Sequence, residues 1–172
     1  WNQSLAKATK LDLHAVNLEK VFDSWTLQQR DLLNPNSLGQ SAYNIELKAN
    51  HEAIWQAGDI AEIQPGNSAE RIHAFLQKHH ILKNSKVDSL QISIEKALWN
   101  KDLTGEIEPF ANLDHLLEQL PNLPTREYSI ASIPSQQVLR LVVRQQYDAS
   151  GNLGLGSGWL TQHTQVNDEI AL

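Results

Sequence analysis

The stretch that most constrains the fold is residues 123–133, L-P-T-R-E-Y-S-I-A-S-I. It reads as a loop running into a strand. Pro124 fixes the backbone at its start, and Tyr128, Ser129, Ile130, Ala131 and Ser132 form a β-compatible run with small hydroxyl residues interleaved. A strand buried on both faces would carry Val, Leu and Phe at those places. This one offers a cation, an aromatic ring and hydroxyls within a few residues. On an extended chain Arg126 and Tyr128 lie two apart and share a face, while Ser129 points to the other. Such a strand can hold a planar aromatic ligand against Tyr128 and an anion against Arg126.

The rest of the chain supplies short strands and turns around it. In residues 41–48, Tyr43, Ile45 and Leu47 alternate with Asn44, Glu46 and Lys48, the pattern of a half-buried strand. Gly58-Asp59 turns into a short strand of Ile60, Ala61, Glu62 and Ile63, and Gln64-Pro65-Gly66-Asn67 is another turn. Strands linked so closely predict an antiparallel sheet or barrel. Residues 138–143 are an apolar run consistent with a buried strand, and residues 158–163 are expected to begin a helix.

Between these strands the pattern becomes helical. Ser68 is a plausible N-cap, with Arg71 where a capping box would need Glu or Gln, and Ile72, Phe75 and Leu76 make one apolar face. Residues 89–99, with Leu90, Ile92 and Ile94, fit strand or helix equally. Asn112-Leu113-Asp114 opens a helix with Leu116, Leu117 and Leu120, stopped by Pro121. Residues 1–33 also read as helix, since Val16, Val21, Phe22 and Trp25 recur at helical spacing, and Asn34-Pro35 ends the run.

Bulk properties narrow the function classes. A net charge of −6 lacks the basic face that non-specific nucleic-acid binding needs, and basic residues are not interleaved with aromatics as in an oligonucleotide-binding barrel. No apolar run approaches the roughly 20 residues of a membrane span. The chain has no cysteine, so it forms no disulfide and no thiolate metal site, in keeping with a reducing, cytoplasmic setting. Its seven histidines lack metal-ligand spacing: His79 and His80 are adjacent, and His73 and His115 stand without a ligand motif, so no metal is expected. A chain that begins at Trp1 and contains no Met reads as a segment of a longer protein.

The motif R-x-Y-S followed by I-A-S resembles the flavin-binding signature of the ferredoxin–NADP reductase superfamily, and within it the FAD domain of diflavin reductases such as the sulfite reductase flavoprotein and cytochrome reductases. Two further pieces stand in the matching order. Tyr147-Asp148-Ala149-Ser150-Gly151 leads to Gly154-Leu155-Gly156-Ser157-Gly158, similar to the family's Gly/Ser-rich turn that opens a helix at the flavin diphosphate. Gly58-Asp59 resembles its "PGD" turn, with Ala57 where Pro is usual. Leu155 also departs from the family, which more often has a small residue there.

The resemblance implies a cofactor, FAD, and a set of residues around it. Arg126 would bind the phosphates through its planar fork. Tyr128 would stack on the isoalloxazine, with Glu127 beside it on the same strand. Ser129 would hydrogen-bond near flavin N5, where hydride from NADPH arrives, and is the implied catalytic residue. Leu141, Val142 and Val143 would offer backbone contacts, and Tyr147 would pack on the adenosine half. Gly154, Leu155, Gly156 and Ser157 would hold the diphosphate, with Ser157 able to cap the helix.

The expected architecture is mainly β with a helical insertion: a six-stranded antiparallel Greek-key β-barrel of the ferredoxin reductase type, plus a small α-helical part. Residues 1–35 would be a helical extension or linker and 36–172 the FAD-binding barrel, with its insertion at 68–122. An FMN or flavodoxin-like domain and an NADPH-binding domain would be partners in the full-length chain, the latter absent here. The alternative is a non-catalytic barrel that connects or docks other domains without flavin.

Overall fold

The computed structural model describes residues 21–172. Its main core is built on strands. β1 (Ser24–Leu32), β2 (Ala42–Ala49), β7 (Leu139–Arg144) and β8 (Glu169–Ala171) form an antiparallel sheet in the order β7-β2-β1-β8. β3 (Ile60–Ile63) and β6 (Arg126–Ser129) form a second, two-stranded sheet. The two sheets touch at single bridges, Gln64 to Ala171 and Ile130 to Leu141. Between them lie Trp25, Leu27, Ile45, Leu47, Ile63, Leu141, Leu160 and Ile170, all buried. The ladder around the six strands is not continuous at the two seams, so the expected closed barrel is not formed as a single hydrogen-bonded sheet.

The reading of residues 1–33 as helix is corrected where the structure describes them; Val16 lies outside the described residues. Residues 24–32 are the central strand β1, paired to β2 on one side and β8 on the other. Trp25 and Leu27 do alternate inward, but a bulge between Leu27 and Gln29 shifts the register and ends the alternation. Backbone hydrogen bonds on both edges override the weak helical spacing. Val21 and Phe22 precede the strand in irregular backbone.

β2 carries the predicted alternation, with Ile45 and Leu47 fully buried. β7 is corrected in one respect. Leu139, Leu141 and Val143 are buried, whereas Val142 is 57% exposed, because only one face of the strand meets the core.

Residues 68–122 contribute a second core of Ile72, Phe75, Leu76, Ile94, Leu98 and Leu116. α1 (Ala69–Lys78) is capped by Ser68, whose hydroxyl accepts from Arg71 N. The ambiguous stretch 89–99 contains both elements: β5 (Ile92–Ser93) pairs with β4 (Lys86–Val87), and α2 (Ile94–Ala97) follows at once. α3 (Leu113–Gln119) is capped by Asn112. Among the described residues, no helix is long and apolar enough to cross a membrane.

Candidate functional site

β6 positions the first part of the site. Arg126 pairs with Ile63 and Tyr128 with Ala61, whose side chains are both buried, so Arg126 and Tyr128 sit on the inner face at the sheet's end. Arg126 Nη1 donates to the carbonyls of Thr125 (2.9 Å) and Pro124 (3.3 Å), which folds the guanidinium back over its own loop. The Gly58-Asp59 turn holds the other end of β6: Gly58 N donates to Ile130 O (2.9 Å) and Ile130 N donates to Asp59 O (2.8 Å). Gly58 has φ +92°, which explains glycine there.

The glycine-rich turn supplies the second part. α4 (Leu155–Gly158) has Gly154 at its N-cap and runs on into a π-helical turn, Trp159–His163, closed by Thr164 N donating to Trp159 O at 3.0 Å. The helix therefore starts before residue 158, and Ser157 lies inside it. Ser157 does not cap the helix. Its hydroxyl accepts from Gln146 N (3.1 Å) and donates to Gly154 O (3.4 Å), tying the helix to the exit of β7.

These parts meet. Arg126, Tyr128, Gly154, Leu155, Gly156 and Ser157 line one open cavity of about 380 Å³, together with Arg144 and Gln146. Gly156 is the closest approach: a Cβ there would lie 2.5 Å from Arg126 Cγ and 2.7 Å from the Tyr128 hydroxyl oxygen. Burial pushes the Tyr128 phenol up from 10.0 to about 12, against a smaller opposing effect of the Arg126 charge. The hydroxyl thus stays protonated and able to donate at neutral pH.

Other expected residues lie elsewhere. Glu127 and Ser129 are exposed on the opposite face of β6, as the period of two requires. Leu141 and Val143 are core, and Val142 faces outward. Tyr147 is 45% exposed and donates to Gln145 Oε1 at 3.1 Å. Arg144 and Gln146 escaped the motif reading. Their signal was a basic residue at the end of an apolar strand, shortly before the glycine turn.

A larger cavity of about 760 Å³ borders Trp99, Trp159 and Lys96, but it also gathers Asp23, Glu95, Asp168 and Glu169. That acidic lining disfavours an anion. Among the described residues, the smaller cavity is lined by two guanidiniums and no carboxylate, and is the better candidate for a phosphate-bearing ligand.

No family model matches the chain, and no curated protein matches it. Among solved structures it is similar to a ferredoxin-NADP+ reductase from Plasmodium falciparum with 2'P-AMP, at 17% identity and a TM-score of 0.48, over 90% of this chain and 40% of that one. The chain thus spans 40% of the length of that structure.

Proposed function

We propose that this chain is the FAD-binding part of an NADPH-dependent flavoprotein reductase, of the kind resembled by its R-x-Y-S and Gly/Ser-rich motifs. One observation carries the reading: Arg126, Tyr128 and the turn at Gly154–Ser157, far apart in sequence, line a single cavity. The fit is chemical as well as spatial. The guanidinium of Arg126 suits phosphate oxygens, and Gly156 leaves no side chain between the turn and β6. Tyr128 presents a neutral phenol with a ring face and an O–H donor. Bound flavin would supply the capacity to take two electrons and release them singly. Ser129, on the other face of β6, would offer its hydroxyl to the part of the ligand that reaches past the strand end.

The six strands β1, β2, β3, β6, β7 and β8 would act as a Greek-key barrel, a reading supported by the two bridges between the sheets. In the whole protein, electrons would pass from NADPH through FAD to an FMN or flavodoxin-like domain or another acceptor, with an NADPH-binding domain completing the reductase. The diflavin reductases are the nearest expected relatives, and the setting would be cytoplasmic.

The test is a titration of the purified chain with FAD, followed by visible absorption and fluorescence, alongside Arg126→Ala and Tyr128→Ala. Each variant should weaken binding by about tenfold or more. Equal binding by all three proteins would reject the assignment. A colourless chain that takes up no FAD but still docks a partner domain would favour a non-catalytic connecting module.

A further inference from the structure

We propose that Arg144 is a second anion-binding arginine of this cavity, and that the pair Arg126 and Arg144 selects a ligand with two linked phosphates over one with a single phosphate. The proposal deepens the flavin reading and rests on it for the ligand's identity; it names the residue that would favour FAD over FMN.

Arg126 and Arg144 come from neighbouring strands, β6 and β7, joined by the bridge between Ile130 and Leu141. Both line the cavity, and among the described residues no acidic side chain lines it, in a chain whose net charge is −6. Among the described residues, neither guanidinium has a carboxylate within ion-pair distance. Arg140 Nε donates to Glu46 Oε1 at 2.7 Å, while Arg30 Nη1 donates to Thr164 O at 2.6 Å and Arg126 Nη1 to the carbonyls of Thr125 and Pro124. Arg144 stands apart in a further way, since its guanidinium donates no hydrogen bond among the described residues. Its Nη1 lies near the turn at Gly39, where an added Cβ would come within 3.8 Å of it.

The backbone that carries Arg144 is fixed without any ligand. Arg144 pairs with Ala42 in the sheet, and the next residue, Gln145, donates from N to Ser41 O at 2.8 Å. The Gln145 side chain donates to Thr161 Oγ1 at 3.0 Å. Gln146 N reaches Ser157 Oγ at 3.1 Å, and Gly154 N donates to Gln146 O at 2.7 Å. Strand exit and glycine turn are therefore held in one frame, so binding has the arginine side chains to order and not the backbone that carries them. Two like charges in one cavity repel, and each planar fork matches one phosphate. Two phosphates linked through an oxygen satisfy both forks, whereas a single phosphate leaves one of them short.

The experiment titrates the whole chain with pyrophosphate, phosphate, FAD and FMN by calorimetry, for wild type, Arg144→Gln, Arg144→Lys and Arg126→Ala. Arg144 is exposed, and its variants are checked for unchanged thermal unfolding. Arg144→Gln should weaken FAD and pyrophosphate by about tenfold and FMN and phosphate by no more than about threefold, with Arg144→Lys between. Unchanged FAD and pyrophosphate affinities in Arg144→Gln would overturn the role of Arg144, while loss of FAD in Arg126→Ala would leave the flavin reading standing. Pyrophosphate binding that depends on Arg144, in a wild type that binds no flavin, would uphold the two-arginine site and overturn the flavin reading. Equal losses for FAD and FMN would overturn the selectivity. A wild type that binds neither pyrophosphate nor FAD would overturn both.

Discussion

Gly156 stands where any side chain would strike Tyr128: a Cβ there would lie 2.7 Å from the phenol oxygen, and the same Cβ would come within 2.5 Å of Arg126 Cγ. Arg126 Cγ is too near its own backbone to swing clear, so β6 or the helix must move. The site and the packing of the turn are thus one structural feature.

Gly156→Ala tests it. Alanine in place of a helical glycine should by itself stabilise by up to about 1 kcal/mol. The clash should reverse that sign and leave a net loss of about 1–3 kcal/mol in urea unfolding, with weaker FAD binding. Gly105→Ala is the control, since a Cβ there meets nothing within 4 Å. Identical unfolding midpoints for the two variants would show that the turn has room for a Cβ at residue 156.

Much of this was legible in the chain, for local reasons. Ser68 and Asn112 cap their helices because a side-chain oxygen before an apolar helical run has a backbone N–H waiting for it. Arg126 and Tyr128 share a face because strands repeat every two residues. What the sequence hid is non-local. β1 is a strand because β2 and β8 pair with it, and its bulge erased the alternation that would have revealed it. Arg144 joins the cavity only through the folding of β7 against the glycine turn. Ser157 resembled a free cap, yet its hydroxyl is taken by Gln146 N, which is adjacent only in three dimensions.

Gly66 and Trp99 join the helical insertion to the main core. A Cβ on Gly66 would lie 2.2 Å from Trp99 Nε1 and 2.4 Å from Cε2, atoms of a rigid ring. That ring meets Trp159 edge-on, with centroids 5.8 Å apart at 73°. Gly66→Ala should displace Trp99, shift tryptophan emission to the red, and cost about 1–3 kcal/mol. Combining it with Trp99→Ala should cost less than the two separate losses added together, because the clash is gone. Strict additivity would argue that the two residues do not touch.

Tyr128 gives the chain an alkaline signature. Its phenol is raised from 10.0 to about 12, chiefly by burial. The folded state therefore prefers the protonated phenol more strongly than the unfolded state does. That contribution is complete below pH 10 and is lost as the pH rises from 10 through about 12. Phenolate absorbance of wild type minus Tyr128→Phe should show one group ionising near 12, and the variant should lose less stability over that interval. A difference curve centred on 10.0 would mean that the ring is open to water.

Asn67 holds the start of the insertion, and the chemistry of its partners dictates the amide. It is 4% exposed, and its Nδ2 donates to three carbonyls, those of Leu98 (2.9 Å), Trp99 (3.2 Å) and Lys101 (2.7 Å). Trp99 O also accepts from Asn67 N (2.7 Å) and Leu98 O from Lys101 N (3.2 Å), so Asn67→Leu removes the amide donors and leaves Lys101 O unpaired, for a cost of about 1–3 kcal/mol. Asn67→Asp should cost more near neutral pH, because a carboxylate would face carbonyl oxygens with no proton to share. Its carboxyl would be held above the usual range when folded, so the excess penalty should shrink as acid protonates it and restores one O–H donor. Urea unfolding of both variants at about pH 7 and about pH 5 checks the order and the sign. An aspartate variant no less stable than the leucine variant at the higher pH would mean that water, not the Asn67 amide, serves Lys101 O.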